Sequence, residues 1–402
     1  MQKLYIPFGF AQFGYAIFSN TLPLLVLLAL GLGAREVGFL NMFVSLFSML
    51  GIVYWGMWID RHEARRAPAI LGFCCVATAT IIGIFSDSFY WLIIASALLG
   101  FFFSVFGLLG STLVAQTKAG KYRDRLKNYN IVISTSTLIA LAFAALLLNV
   151  FDDEFGLRLL LLIVFAAFAL GLGLSTYLPD KAPHKPMLSK SELVKINTGI
   201  YERLHYLPSK IATKLKFASV DKRIYWLCLG FSLMLFGFAA FNTTLPVFLI
   251  KSGVSGTGIF AVHLSSAFAC TLGYLIVSQT RADKLLKIAT ALRIGIISSF
   301  AFIFFLPSAS LVLLTAIVLN GLMGLGWAGI SSASVRMVMR FAESYHTGSA
   351  MGVYHLSLSA GMAAGALVGG LLFASMSIMA YPLFAIVAVN GLMLSIFWYK
   401  AS

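Results

Sequence analysis

The chain has 402 residues, 60% of them hydrophobic and only 11% charged, with a mean hydropathy of +0.93 and a formal net charge of +15. A water-soluble protein of this length needs far more polar side chains to cover itself, so a soluble globular fold is excluded and lipid is the implied solvent. The positive charge sits between apolar runs and not on one basic face, which argues for topology and anionic lipid and against nucleic acid.

A bilayer core about 30 Å thick is crossed by roughly 20 apolar residues in a helix. Twelve such runs are read, at 4–30, 36–59, 68–86, 89–116, 128–150, 157–178, 223–250, 256–279, 286–306, 309–334, 349–373 and 376–398. The first run is too long for a cleavable leader and lacks a small-residue cleavage site, so it is expected to act as a membrane anchor. With the N-terminus cytoplasmic, the inner segments hold all but four of the 29 Lys and Arg. Arg35, Arg158 and Lys251 fall outside, and Arg293 falls within the ninth span. Both termini are therefore expected on the cytoplasmic side of a plasma membrane, in a bacterium the inner membrane. The cysteines Cys74, Cys75, Cys228 and Cys270 lie in apolar runs without a C-x-x-C pair, so neither disulfides nor a thiolate metal site are expected.

Span 1 carries FGYAIFSNTLP at residues 13–23, and span 7 carries FGFAAFNTTLP at 236–246, identical at seven of eleven positions. The two copies lie at the same depth and run in the same direction, each followed by five more spans. That pattern expects a duplicated chain with parallel halves: residues 1–178, a linker at 179–222, and 223–402. The correspondence continues with drifting offsets, aligning Gly100 with Gly321, Phe106 with Trp327, Tyr129 with Tyr354, Asn130 with His355 and Ser134 with Ser359. Pro23 and Pro246 each remove a backbone donor, freeing the carbonyls of Ser19 and Asn242. Ser19, Asn20 and Thr21 surround one proline, and Asn242, Thr243 and Thr244 the other. These bends either fit neighbouring helices or line a central path.

Between spans 2 and 3 the chain reads GMWIDRHEARR, residues 56–66. This resembles the signature loop of the major facilitator superfamily, G-x-x-x-D-R-x-G-R-R/K. Gly56, Asp60, Arg61 and Arg65 match, while Glu63 replaces the second glycine and Ala64 the first paired basic residue. The resemblance implies an all-α membrane protein of 12 transmembrane helices, arranged as two parallel six-helix bundles about a pseudo-two-fold axis. It also implies that the loop is a conformational latch, with the Asp60 carboxylate facing the start of span 11 at Thr347, Gly348 and Ser349. In the superfamily, spans 1, 4, 7 and 10 enclose the substrate, with contributions from 2, 5, 8 and 11.

Substrate-binding candidates follow from polar and aromatic residues that share helical faces on those spans. Span 1 offers Gln12, Tyr15, Ser19 and Asn20; span 4 offers Phe106; span 5 offers Asn130, Ser134 and Thr137. Span 7 offers Phe238 and Asn242, and span 10 offers Asn320, Trp327 and Ser331. All 14 acids lie in loops or at helix ends, so no intramembrane carboxylate is available as a proton relay. His263 and His355 are the remaining candidates for coupling. Arg293, about 10 Å into its span, either snorkels to the surface or meets an anionic substrate group. In span 11, GMAAGALVGG sets Gly361, Gly365 and Gly369 on one face for helix packing and resembles a glycine motif that drug antiporters carry in span 5. Span 5 here has no glycine and no proline.

In the linker, Ser189 and Glu192 form a capping box ahead of apolar residues at helical spacing, among ten basic and four acidic residues in 179–223. A basic amphipathic helix against anionic lipid is expected there. Outer loops too short and too poor in acids and histidines argue against a membrane enzyme, and the absence of a P-loop argues against ATP drive. The reading is a monomeric secondary active transporter, without cofactor or metal, that moves a small organic, amphipathic solute by alternating access, with export favoured. Uptake of a sugar or organic anion, or lipid translocation, is the alternative.

Overall fold

The computed structural model of the protein describes residues 5–62, 65–115, 122–151, 153–178, 222–276, 281–303, 305–341 and 347–400. The Ser189–Glu192 capping box and the rest of the expected linker helix, up to residue 221, lie outside the described residues. In hydrocarbon every backbone N–H and C=O must find a partner within the chain, and helices meet that demand locally. The described chain is accordingly helical: α1 (Ile6–Leu24), α2 (Ala34–His62), α3 (Arg66–Ile84), α4 (Phe89–Ala115), α5 (Tyr122–Val150), α6 (Asp153–Ser175), α7 (Lys222–Lys251), α8 (Gly256–Ile276), α9 (Ala282–Ile303), α10 (Ala309–Phe341), α11 (Thr347–Met376) and α12 (Ala380–Lys400).

Eleven segments among the described residues are long and apolar enough to cross a membrane, one fewer than the twelve expected. The last of them, Gly352–Phe397, is a single apolar stretch of 46 residues with no charged break. It contains α11, a 3₁₀ turn at Ser377–Met379 and α12. At the turn Ser377 adopts φ 52°, a left-handed conformation costly for a residue with a Cβ.

The prolines of the repeated phrase act differently. After Pro23, α1 passes into a π-helical turn at Leu25–Ala29, where Leu30 N–H donates to the Leu25 carbonyl at 3.0 Å. Pro246 sits inside α7, which stays α-helical to Lys251. Both prolines, and the equivalent Thr21 and Thr244, are buried in protein. The Thr244 hydroxyl donates at 3.0 Å to the carbonyls of Ala240 and Phe241.

Within residues 5–178, α1 packs on α5 and α6, α3 on α4 and α6, and α2 on α4; within 222–400, α7 packs on α11 and α12, α9 on α10 and α12, and α8 on α10. The two stretches of chain meet along two long seams, α2 against α11 and α5 against α8. Small residues permit the first seam: a Cβ at Gly38 would stand 2.9 Å from the Gly370 Cα and the Ala366 carbonyl oxygen. The Asn41 amide of α2 also donates to the Thr243 hydroxyl of α7 at 3.3 Å. Gly361, Gly365 and Gly369 all face α7, against the backbones of Ser232, Phe236 and Ala240 in turn. The four-residue step on both helices keeps the backbones in contact over two turns.

Candidate functional site

The site is built from faces of α1, α4 and α5 and of α7 to α11. On α1, the Gln12 amide donates to the Thr137 hydroxyl of α5 at 3.0 Å, joining two faces singled out in the sequence. Tyr15 stacks on Phe103 of α4, with ring centroids 4.0 Å apart and planes inclined by 15°. Phe103 leads to Phe106 at 5.7 Å, and Phe106 to Phe73 of α3 at 4.5 Å. Ser19 and Asn20 bond locally instead, both to the Ala16 carbonyl, Asn20 at 2.7 Å.

One helical turn before Thr137, the Ser134 hydroxyl meets the Thr271 hydroxyl of α8 at 2.7 Å across the seam. Thr271 also donates to the Ala267 carbonyl at 2.9 Å. Beside it, the Cys270 thiol interacts with the hydroxyls of Ser134 and Tyr274. Tyr274 in turn bonds to Ser331 of α10 at 2.9 Å, and Ser334, one turn on, to Tyr354 of α11 at 2.7 Å. A belt of hydroxyls thus runs from α1 through α5 and α8 to α10 and α11. Thr271 and Tyr274 are additions to the sequence reading. The signal for them is spacing, since His263, Cys270 and Tyr274 recur at seven and four residues on one face of span 8.

Beside this belt stands Arg293, against Trp327, one helical turn from Ser331. Helix α9 begins at Ala282, four residues before the expected span, so Arg293 lies about 16 Å along the helix and not about 10 Å. It does not snorkel: the residue is 4% exposed. Its guanidinium lies over the Phe238 ring of α7 at 4.2 Å and near the Trp327 ring of α10 at 5.4 Å. Nε and Nη1 have no hydrogen-bond partner among the described residues. A cavity of about 10 Å³, room for roughly one water, opens between α7, α10 and α11, lined by Leu235, Trp327, Ser331, Ser334 and Tyr354 among others. Leu235 and Phe238 of α7 and Trp327 and Ser331 of α10 are thus brought together, as their shared faces require.

Other candidates stand apart. The Asn320 amide is buried and donates to the Val262 carbonyl of α8 at 2.8 Å, holding two helices together. Asn242 is exposed and Asn130 half-buried. His263 is half-buried, with Nε2 shielded and unpartnered among the described residues. His355 packs edge-on against Tyr354 at 5.1 Å. In the signature loop, Gly56 faces open space, Arg65 is buried, and Arg66 donates to the Leu178 carbonyl at 3.0 Å. Asp60 and Arg61 lie on the last turn of α2, but their side chains, like those of Thr347 and Ser349, lie outside the described residues. No three His, Cys, Asp or Glu side chains gather at metal-ligand distances among the described residues.

A bundle of apolar helices with a buried, partly polar centre defines a multi-pass integral membrane protein of the transporter class. The family model of the Major Facilitator Superfamily matches residues 4–326. The chain belongs to that superfamily. No curated protein matches the sequence. Among solved structures, it is similar in fold to the nucleoside transporter NupG, with TM-score 0.69 at 14% identity over 100% of this chain and 98% of that one. A structure of proton-dependent oligopeptide transporters gives TM-score 0.70 at 12% identity, covering 100% and 97%. A bacterial homologue of the human drug peptide transporters PepT1 and PepT2 gives 0.70 at 12%, covering 100% and 96%.

Proposed function

We propose that the protein is a secondary transporter that carries a small organic solute across the membrane by alternating access. In this reading residues 1–178 and 223–402 are six-helix halves, joined by the basic segment 179–222 on the cytoplasmic side, where both termini also lie. Gly352–Phe397 then counts as two crossings, because 46 residues of helix would measure about 69 Å, over twice a bilayer core. The Ser377 turn supplies the reversal between them.

The observation that carries the reading is the Phe238–Arg293–Trp327 group, with Phe238 and Arg293 buried and Trp327 half-buried, close to the seam where Ser134 of α5 meets Thr271 of α8. Rocking of the halves about the Gly38–Gly370 contact would part that seam and expose the group alternately to each side. Asp60 and Arg61 act as the latch of one facing state, and His263 and His355 are the groups left to carry a coupling proton. Export is the favoured direction, because no span holds a carboxylate to relay a proton for uphill uptake. Uptake of a sugar or organic anion is the second reading.

Purified protein in proteoliposomes, preloaded with candidate solutes, tests the reading by counterflow. Exchange of a labelled solute that depends on the protein and accelerates with unlabelled solute on the far side supports it. Folded protein that exchanges no solute of any class sinks it.

A further inference from the structure

We infer that Arg293 is the receptor for a negative group on the substrate, which makes the transported class an organic anion bearing a carboxylate or phosphate. The inference rests on the transporter reading for the word substrate, and on geometry for the rest. A guanidinium keeps its charge under all physiological conditions and has five donors to fill. Here it is 4% exposed in the middle of an apolar helix, with Nε and Nη1 unpartnered among the described residues. No Asp or Glu falls in the middle of an apolar run of the sequence, so no counter-ion is supplied from within a run. Among the described residues Arg293 makes no ion pair. A buried charge without a partner is costly, and the missing negative charge has to come from outside the chain.

The surroundings say where that charge would sit. The Phe238 and Trp327 rings lie 4.2 and 5.4 Å from the guanidinium carbon, while Nε and Nη1 keep unused N–H donors, the groups that pair with planar or tetrahedral oxyanions. The stem is accommodated on purpose: a Cβ at Gly326 would stand 2.6 Å from the Arg293 Cγ and 3.0 Å from the Ala289 carbonyl oxygen, so α10 carries glycine where the arginine crosses it. The Trp327 residue that meets the cation also lines the small cavity with Ser331, Ser334 and Tyr354, so the two features share one side chain. The fold itself does not require a cation at this position. The corresponding helix pair of the first half, α3 and α4, packs Phe73 against Phe106 with no cation between them.

The test is thermal melting of the purified full chain with three isosteres at tens of millimolar: phenylacetate, phenylacetamide and phenethylammonium, with acetate and phosphate as compact anions. A ligand bound only by the folded state raises the melting temperature by mass action. The expected result is a rise of a few degrees with anions and none with the amide or the ammonium, lost in Arg293→Met and mostly lost in Arg293→Lys. Without added anion, Arg293→Met should melt at or above the unsubstituted protein, since an apolar chain of similar length replaces an unpaired charge. If Arg293→Met fails to fold, the unsubstituted protein and Arg293→Lys still decide. Equal shifts from the amide and phenylacetate, no shift from any anion, or a full shift kept by Arg293→Met would each overturn the inference. A shift from phosphatidylglycerol in the micelle, with none from soluble anions, would overturn it too, assigning the site to a lipid headgroup. Anion-specific stabilisation without counterflow would sink the transport reading while leaving Arg293 an anion receptor.

Discussion

Arg293 of α9 lies against Trp327 of α10, and Phe73 of α3 lies against Phe106 of α4. Phe73 packs on Phe106 with ring centroids 4.5 Å apart, and the Arg293 guanidinium lies 5.4 Å from the Trp327 ring. Helix pairs α3–α4 and α9–α10 thus pack alike, once with two rings and once with a cation on a ring. The first version closes the core of α3 and α4. The second leaves unpaired donors next to the seam between α5 and α8. An asymmetry of this kind, written onto a repeated frame, is where a binding function is added without changing the fold.

Removing the larger ring tests the cation–aromatic contact directly. Desolvated cation–π contacts are worth about 2 kcal/mol, and an indole gives the strongest. Trp327→Leu should therefore lower the melting temperature, while Trp327→Phe should retain most of it. In the combined Arg293→Met background the two substitutions at Trp327 should differ less. A double-mutant cycle on melting temperatures reads this coupling. Identical costs with and without Arg293 would show that Trp327 acts only by packing.

Gly365 faces the Phe236 backbone of α7, with no room for a side-chain carbon. Gly365→Ala should therefore force α11 away from α7 and cost about 1–3 kcal/mol, the usual range for overpacking. Gly352, on the same helix, has no heavy atom near its would-be Cβ. Gly352→Ala should be neutral or slightly stabilising, since alanine favours helix. Melting curves of the two variants in one detergent check the pair, and equal stability would show that α7 and α11 separate freely there.

Much of this architecture is legible in the sequence because lipid imposes strong rules. The repeated phrase, the apolar run lengths and the basic loops follow from what a bilayer tolerates, so the helical membrane class and the pairing of some polar faces can be read directly. The count of twelve spans meets eleven apolar segments among the described residues. Gln12 with Thr137, and Phe238 with Trp327, come together as face patterns predict. Helix ends are less legible, because charged residues extend a helix beyond its apolar run; α9 starts at Ala282, so Arg293 stands further along the helix than the run suggested, and its burial is seen only in the packing. Polar side chains are the hardest to assign. Asn320 and Ser134 look alike as lone polar residues, yet one donates to a neighbouring helix's carbonyl and the other crosses to a hydroxyl of the opposite half. Only three-dimensional packing distinguishes those two partners.

The Ser134–Thr271 contact bridges α5 and α8 at 2.7 Å, so any motion that parts this seam must break it. Single hydrogen bonds inside membranes are worth only about 0.6 kcal/mol on average, so Ser134→Ala should barely change stability. Covalent closure is the stronger test. In a background with the four native cysteines replaced by serine, Ser134→Cys with Thr271→Cys should form a disulfide under mild oxidation. Counterflow should then stop and return on reduction. Full exchange with the bridge intact would show that this seam does not open during the cycle.

An anionic substrate without an intramembrane carboxylate to accompany it makes transport electrogenic. Each elementary charge moved through 100 mV is worth about 2.3 kcal/mol, which corresponds to a concentration ratio of roughly 50-fold for a monovalent anion. Proteoliposomes loaded with the anion that stabilises the protein should therefore empty faster when potassium and valinomycin set the interior negative. They should accumulate the anion when the interior is positive. Export then needs no coupled ion in a cell whose interior is negative. Flux indifferent to voltage but driven by a pH gradient would instead place a proton on the carrier with each anion. His263 and His355 are the spanning groups able to take that proton, and loss of the pH response in His355→Ala with counterflow intact would assign it to His355.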